Sequence, residues 1–460
     1  MPPNDTDPND FLEFARKLTE LDPDSPEFDK LMEEMPDPES FQLPPAPPKI
    51  FDIAANPNIS FDDFVATVEG QLDLEFDGIN LTHPAAASGH RDRVQWLVEQ
   101  GLSLHLVDSN GYGIVLKAVY ARQRNGDDLL DYLISRNCDL NQTSSYGESP
   151  LSVLISRGRY SMALKLIRSG ADSGLVGFTP LHQASAAGDL KQIVALTNPE
   201  NLELPDRFGR TPWLTAIAAD QVEAAITLSK IGAKTNVCGK GESSPLEVCA
   251  VTDADRTARH LIENHMTKSE FHQLLADQNS YGKSLLHGAV GWNSLKIARL
   301  FLENGASVDT KCFVGMKPVN EAISLPMLQL LHSFGSDLSH VDGCGEWPLK
   351  SAAEDDDLGA VEWLLKQGVE VDQTSTGETA LHTAVRWGSI QLIRTLIDAG
   401  ADVNARDVDS DSVLFNCKTV DSAKLLIAAG ADPALRNQIG ETAAQSSYVE
   451  QEVREFLKGI

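Results

Sequence analysis

Histidine is the residue type in this 460-residue chain that first invites a chemical reading. His83, His182, His287 and His382 recur at long intervals, and imidazoles serve as metal ligands or general bases. They are spread along the chain, each in the same local frame, which favours a structural role: each is expected to hydrogen-bond an adjoining turn. His260, His265 and His272 lie closer together, but their offsets match no metal-binding spacing. The carboxylate run Glu354 to Asp357 lacks the alternating ligands and turn glycine of a calcium loop, so it reads as a solvated turn. The six cysteines form no CxxC pair and are read as free thiols of a reducing compartment. No GxSxG, P-loop, HExxH or dinucleotide fingerprint occurs. No cofactor and no metal are expected, and an enzyme is the least favoured class.

The bulk numbers restrict partners. Net charge is −29, from 67 acidic and 38 basic residues. A phosphate backbone would be repelled, so nucleic acid is not an expected ligand, and nor is an anionic membrane. A basic protein would instead be attracted at long range. The first residues are acidic, without the basic and apolar regions of a signal peptide, and no apolar run is long enough to span a bilayer. A cytoplasmic location follows as the expectation, with the nucleus left open.

The elements that carry these residues emerge from self-similarity. The stretch from Gly177 to Ala184 reads GFTPLHQA, and Gly377 to Ala384 reads GETALHTA. A second glycine stands eleven residues after the first, at Gly188 and Gly388. Gly147 and Gly209 open similar copies, the latter with Asp220 in the second glycine's place and Trp213 in the leucine's. Gly282 opens another, with Asn293 there. Looser copies begin near Gly111, Glu242, Gly315, Gly345 and Ser410. The units also end alike: LIDAGADVN around Gly400 echoes LIRSGAD around Gly170 and LIAAGAD around Gly430. Thr or Ser before Pro starts a helix, apolar residues such as Ile390, Ile393 and Leu396 line a second helix, and Gly400 ends it. On these motifs the sequence resembles the ankyrin-repeat family over roughly residues 75 to 450. The resemblance implies an all-α solenoid of about 11–12 helix-pair repeats with β-turn fingers, in which units stack because no pair buries both faces. Residues 51–460 are read as this solenoid, with 51–76 as its amino-terminal cap and 440–460 as its carboxy-terminal cap.

The resemblance also implies binding on the concave side, through fingers and the exposed side of each first helix. Carried to this chain, the residue after the first repeat glycine includes Tyr112, Phe178, Arg210 and Met316, and the exposed end of the first helix includes Tyr120, Arg157, Trp292, Arg386 and Trp387. These nine are the expected partner-binding residues. Trp96 and Trp363 are read as core. Irregular stretches, namely the turn Ser173 to Val176, the insertion Met266 to Asn279 and the copy after Gly315, are expected to bend the solenoid or shorten a finger.

Residues 1–50 differ in kind, with 13 acidic against 4 basic residues and a proline run from Pro44 to Pro48. Phe11, Phe14, Leu18 and Leu21 share one helical face; Phe28, Leu31, Met32 and Met35 share another. The segment is an acidic tail that stays solvated, folds on a partner, or docks on the chain's own basic region between residues 115 and 170, where Arg122, Arg124 and Arg157 fall. The functional expectation is a monomeric, non-catalytic module binding a protein, a basic one being the class that the charge favours, as an adaptor or scaffold. An acidic inhibitor or dedicated chaperone of a basic protein, a bacterial effector, and an enzyme with an unrecognised site are its alternatives.

Overall fold

The computed structural model describes residues 48–55, 61–121, 126–239, 244–375, 377–387 and 389–460. Residues 1–47, Ser60, Arg122, Arg124, Glu242 and Gly388 lie outside the described residues. Within them the chain is a stack of finger, first helix and second helix, with only isolated β-bridges, such as Val107 with Gly113, at finger bases. Helices Lys49–Ala55 and Phe61–Val68 open the stack. Nine pairs of α-helices follow, together with two units whose first helix is reduced to a 3-10 turn, Pro318–Glu321 and Val413–Asn416. The helix Gln451–Lys458 closes it, burying Val453 and Leu457.

Local chemistry explains the repeat. In the unit beginning at Pro180, the Thr179 hydroxyl caps the helix and His182 reaches back to the Thr179 backbone. Thr211, Ser149 and Ser244 cap Pro212–Ala218, Pro150–Ser156 and Pro245–Thr252 the same way, each with proline in the first turn. The turn between paired helices needs a left-handed residue. Glycine supplies it at Gly188 (φ 69°), but Asp220 and Asn293 occupy the same conformation at 55° and 57°. These side chains have a task that glycine lacks. Asp220 Oδ1 accepts from the Thr257 backbone amide at 2.8 Å, capping the next unit's second helix, and Asn293 Oδ1 accepts from Ser324 Oγ at 2.6 Å.

The histidines stitch fingers to helices. His83 Nε2 meets the Leu106 carbonyl at 2.9 Å, His182 that of Arg210 at 3.0 Å and His287 that of Met316 at 3.2 Å. His382 keeps the Thr379 half of the pattern. Where Asn320 replaces histidine, its amide donates to the His340 and Glu346 carbonyls, doing the same work. The insertion after Met266 is an extra helix, Lys268–Ala276, capped by Thr267 and Glu270 and anchored by buried Phe271 and Leu275.

One junction breaks the stack. Elsewhere each first helix packs on the next first element. After the pair Pro150–Ser156 and Tyr160–Arg168 the finger is only the 3-10 turn Ser173–Val176, and the second helix Tyr160–Arg168 packs on the following first helix, Pro180–Ala187. The chain folds back at this elbow. Arg210, from two units onward, donates to the Ile155 carbonyl at 2.9 Å and to Tyr160 Oη at 2.7 Å. A Cβ on Gly158 would lie 2.6 Å from the Thr252 side chain, three units away in sequence. The amino-terminal arm therefore touches three successive units of the carboxy-terminal arm instead of one.

Candidate interaction surface

The elbow sorts the expected binding residues. Phe178 and Arg210, read from the sequence as exposed finger residues, are buried, with 2% and 7% of their surfaces accessible. Phe178 stacks on Tyr160 because the shortened finger draws it inward, and Arg210 spends its guanidinium on the elbow. Both are structural ties and not partner contacts. Met316 is half-buried and its carbonyl holds His287. Tyr112 is also half-buried. Its hydroxyl donates to Glu148 at 2.7 Å, as the Tyr120 hydroxyl does at 2.5 Å. Burial, then the Glu148 bond, push the Tyr112 phenol up to about 12, and the Tyr120 phenol is raised for the same reasons. Both remain protonated donors at neutral pH. The residue after the repeat glycine thus reaches back toward the stack and does not stand out from it.

The true tips precede the glycine. Tyr281 is 71% exposed, and Phe313 is 77% exposed beside Val314. The two fingers touch, since the Phe313 amide donates to the Tyr281 carbonyl at 3.2 Å. Tyr146 and Ile439 repeat the position and are exposed too. Sequence reasoning missed this row. The signal was a large apolar residue one place before the turn glycine, at Tyr146, Tyr281, Val314 and Ile439, whereas Val176 and Phe208 in the same position beside the elbow are buried and half-buried.

Trp292 and Trp387 share one register at the end of the first helix, and both are exposed, at 50% and 64%. Their surroundings differ. Trp387 stands beside Arg386, which is paired with Glu378. Lys350 sits below, within ion-pair reach of Glu346 at 2.5 Å, Glu378 at 3.7 Å and Glu354 at 4.0 Å. Three carboxylates share two cations, and burial followed by the Glu346 charge raises the Glu354 carboxyl. Trp292 instead faces the other arm across a cavity of about 480 Å³ whose walls include Tyr120, Glu148, Arg157, Arg207 and Phe208. Arg157 lies over the Tyr120 ring, 4.6 Å from its centroid. Of the other tryptophans, Trp213, in the leucine position of its copy, is buried, and Trp96 and Trp363 pack half-buried against the core. Trp347 is buried at the first-helix start of the looser copy that begins near Gly345.

The remaining chemical candidates have structural positions. Asp357 accepts from the Ala360 amide at 2.9 Å as a helix cap, and Asp356 takes the left-handed turn conformation. All six cysteines are free, and burial pushes the Cys249 thiol up to about 12, leaving it an inert core residue. Among the described residues no three His, Cys, Asp or Glu side chains are grouped to hold a metal ion, and no helix is long and apolar enough to cross a membrane.

Comparison with known proteins finds ankyrin-repeat relatives. A family profile described as ankyrin repeats (3 copies) matches residues 319–407. The B-cell lymphoma 3 protein homolog of Mus musculus is 25% identical over 223 residues, covering 46% of this chain and 48% of that protein. The E3 ubiquitin-protein ligase KEG of Arabidopsis thaliana is 24% identical over 306 residues, covering 58% of this chain and 18% of that protein. The chain thus spans at most about half the length of these relatives. Among solved structures, the ankyrin repeat domain of Bcl-3 is 24% identical at a TM-score of 0.40, covering 47% of this chain and 99% of that domain.

Proposed function

This chain is an ankyrin-repeat protein, and from that premise we propose that it is a non-catalytic module holding a partner protein on the concave side of its carboxy-terminal arm. The observation that carries the reading is Trp387: a tryptophan with most of its surface in water, set on a face where three carboxylates outnumber two cations. Exposed tryptophans are frequent binding hot spots, and the ring face attracts cations. The exposed tips Tyr281, Phe313 and Val314 add apolar contact area to the same arm. With a net charge of −29, the partner fitted by this surface presents lysine or arginine around an apolar anchor. Such a module acts as an adaptor. The charge equally supports an inhibitor or chaperone that shields a basic protein. The free thiols support a reducing compartment, cytoplasm or nucleus, and nothing in the proposed mode requires more than one copy.

The test places a photo-reactive side chain at position 387, and in a second protein at Arg394 on the second helix, and compares adducts formed in native extract. Adducts to basic proteins at position 387, absent at 394 and weakened by moderate salt, are expected. Trp387→Ala should cost about 2 kcal/mol of binding, roughly thirtyfold in Kd. Equal labelling from both positions would place the partner elsewhere.

A further inference from the structure

The cavity at the elbow is lined by more cations than carboxylates, in a molecule of net charge −29. Two arginines line it, Arg157 from the amino-terminal arm and Arg207 from the carboxy-terminal arm. Among the described residues neither has a carboxylate within ion-pair distance. Arg207 donates to the Gly147 carbonyl at 2.7 Å, which bridges the arms but leaves its charge uncompensated. Arg157 reaches the Tyr120 carbonyl at 3.5 Å. Glu148 is the one acid in the wall, and the Tyr112 and Tyr120 hydroxyls occupy both of its oxygens. Tyr120, Phe208 and the half-exposed Trp292 share the wall with them. Two unpaired cations around an aromatic floor select an anionic segment with large apolar side chains.

We propose that this cross-arm cavity is the docking site for the chain's own amino-terminal segment around residues 27 to 35, in which Phe28, Leu31 and Met32 enter between the rings and the flanking Glu27, Asp29, Glu33 and Glu34 face Arg157 and Arg207. The composition fits: 13 acidic and 4 basic residues in the first 50, with apolar side chains at helical spacing. The reach fits too. The described chain starts at Pro48 on the amino-terminal arm, the same arm that supplies Arg157 and Tyr120. The twelve residues 36–47 that join it to Pro48 extend to about 40 Å, against roughly 10 Å per stacked helix layer. Attachment to the same molecule raises the local concentration of the segment to the millimolar range, so even a weak contact is populated. A docked tail would pin the two arms together. The cavity lies apart from Trp387, and its occupancy by the tail holds whether or not the Trp387 face takes a partner.

The experiment uses the full chain with photo-leucine replacing Leu31, prepared as an equal mixture of isotope-labelled and unlabelled protein. Adducts within single chains to peptides containing residues 147–157, 207–208 or 292, lost in Arg157→Gln/Arg207→Gln, are expected. In Phe28→Ala/Leu31→Ala/Met32→Ala, hydrogen exchange at 147–157 should rise at least fivefold while far-UV circular dichroism is unchanged. Adducts between labelled and unlabelled chains would assign the cavity to a second copy and overturn docking in cis. Adducts scattered over the solenoid, or unchanged exchange in the triple variant, would overturn the site itself.

Discussion

At the scale of single residues, two side-chain types carry the repeat, and each makes a measurable claim. Asp220 tolerates a left-handed backbone in order to cap the helix Asp255–Asn264 of the next unit. Asp220→Gly removes the cap and relieves the backbone, whereas Asp220→Ala removes the cap and keeps the strain. Alanine should therefore cost about 2 kcal/mol and glycine about 1, an order that urea unfolding can read. The inter-unit histidines make the second claim. Burial pushes His83 down to about 4, and lowers His182, His287 and His382 in the same direction. A histidine whose folded pKa lies below its unfolded value of about 6.5 contributes stability above that value, because the unfolded chain binds the proton first. The contribution is lost as pH falls from about 6.5 toward 4, and for His83 it is on the order of 3 kcal/mol. Unfolding midpoints measured between pH 7 and 4.5 should drop steeply. His83→Gln should flatten that slope, since Gln445 and Asn320 already fill the equivalent position with an amide that does not titrate.

At the scale of elements, the elbow is the unit of consequence. It hangs on Arg210, whose guanidinium spans from the carboxy-terminal arm to Ile155 and Tyr160. Arg210→Met preserves length and apolar contact but deletes both bonds, at about 2 kcal/mol for hydrogen bonds from a charged donor. Faster hydrogen exchange over residues 150–168, together with a larger radius of gyration by X-ray scattering, is the expected result. Unchanged scattering would mean that the helix packing between Tyr160–Arg168 and Pro180–Ala187 alone holds the arms. The same elbow marks how far the sequence could be read. Helix starts, left-handed turns and the histidine position were legible because each depends on one or two residues and a fixed spacing. The shortened finger at Ser173 was legible as a fault, but its direction was not, since that depends on which helix the next one meets. Phe178 and Arg210 were misplaced for this reason: their burial is created by the fold-back and has no local signature. The exposed tips Tyr281 and Phe313 have no repeat motif of their own, and the residue after the glycine, which the frame does mark, is directed inward by the turn geometry.

At the scale of the whole molecule, charge and shape act together. Sixty-seven acidic residues against 38 basic ones are distributed over a stack in which each unit touches few others, so like charges on successive units repel along its length. The screening length is about 10 Å at 0.1 M salt, comparable with the spacing of stacked helices. Raising salt from 20 to 200 mM at pH 7.5 should therefore raise the unfolding midpoint. The ion pairs around Lys350 oppose this only weakly, because that ammonium is buried and salt screens buried pairs much less than surface ones. A fall in midpoint would mean that paired charges outweigh the net excess. Repeating the titration at pH 5 separates this term from the histidine term. Repulsion between carboxylates is screened by salt, whereas the cost of holding His83 neutral in a buried site is a desolvation term that salt does not reach. Salt should thus recover the repulsive loss at both pH values and leave the acid-induced loss in place. If 200 mM salt at pH 5 restores the pH 7.5 midpoint, the acid sensitivity belongs to surface charge and the buried histidines are not its source.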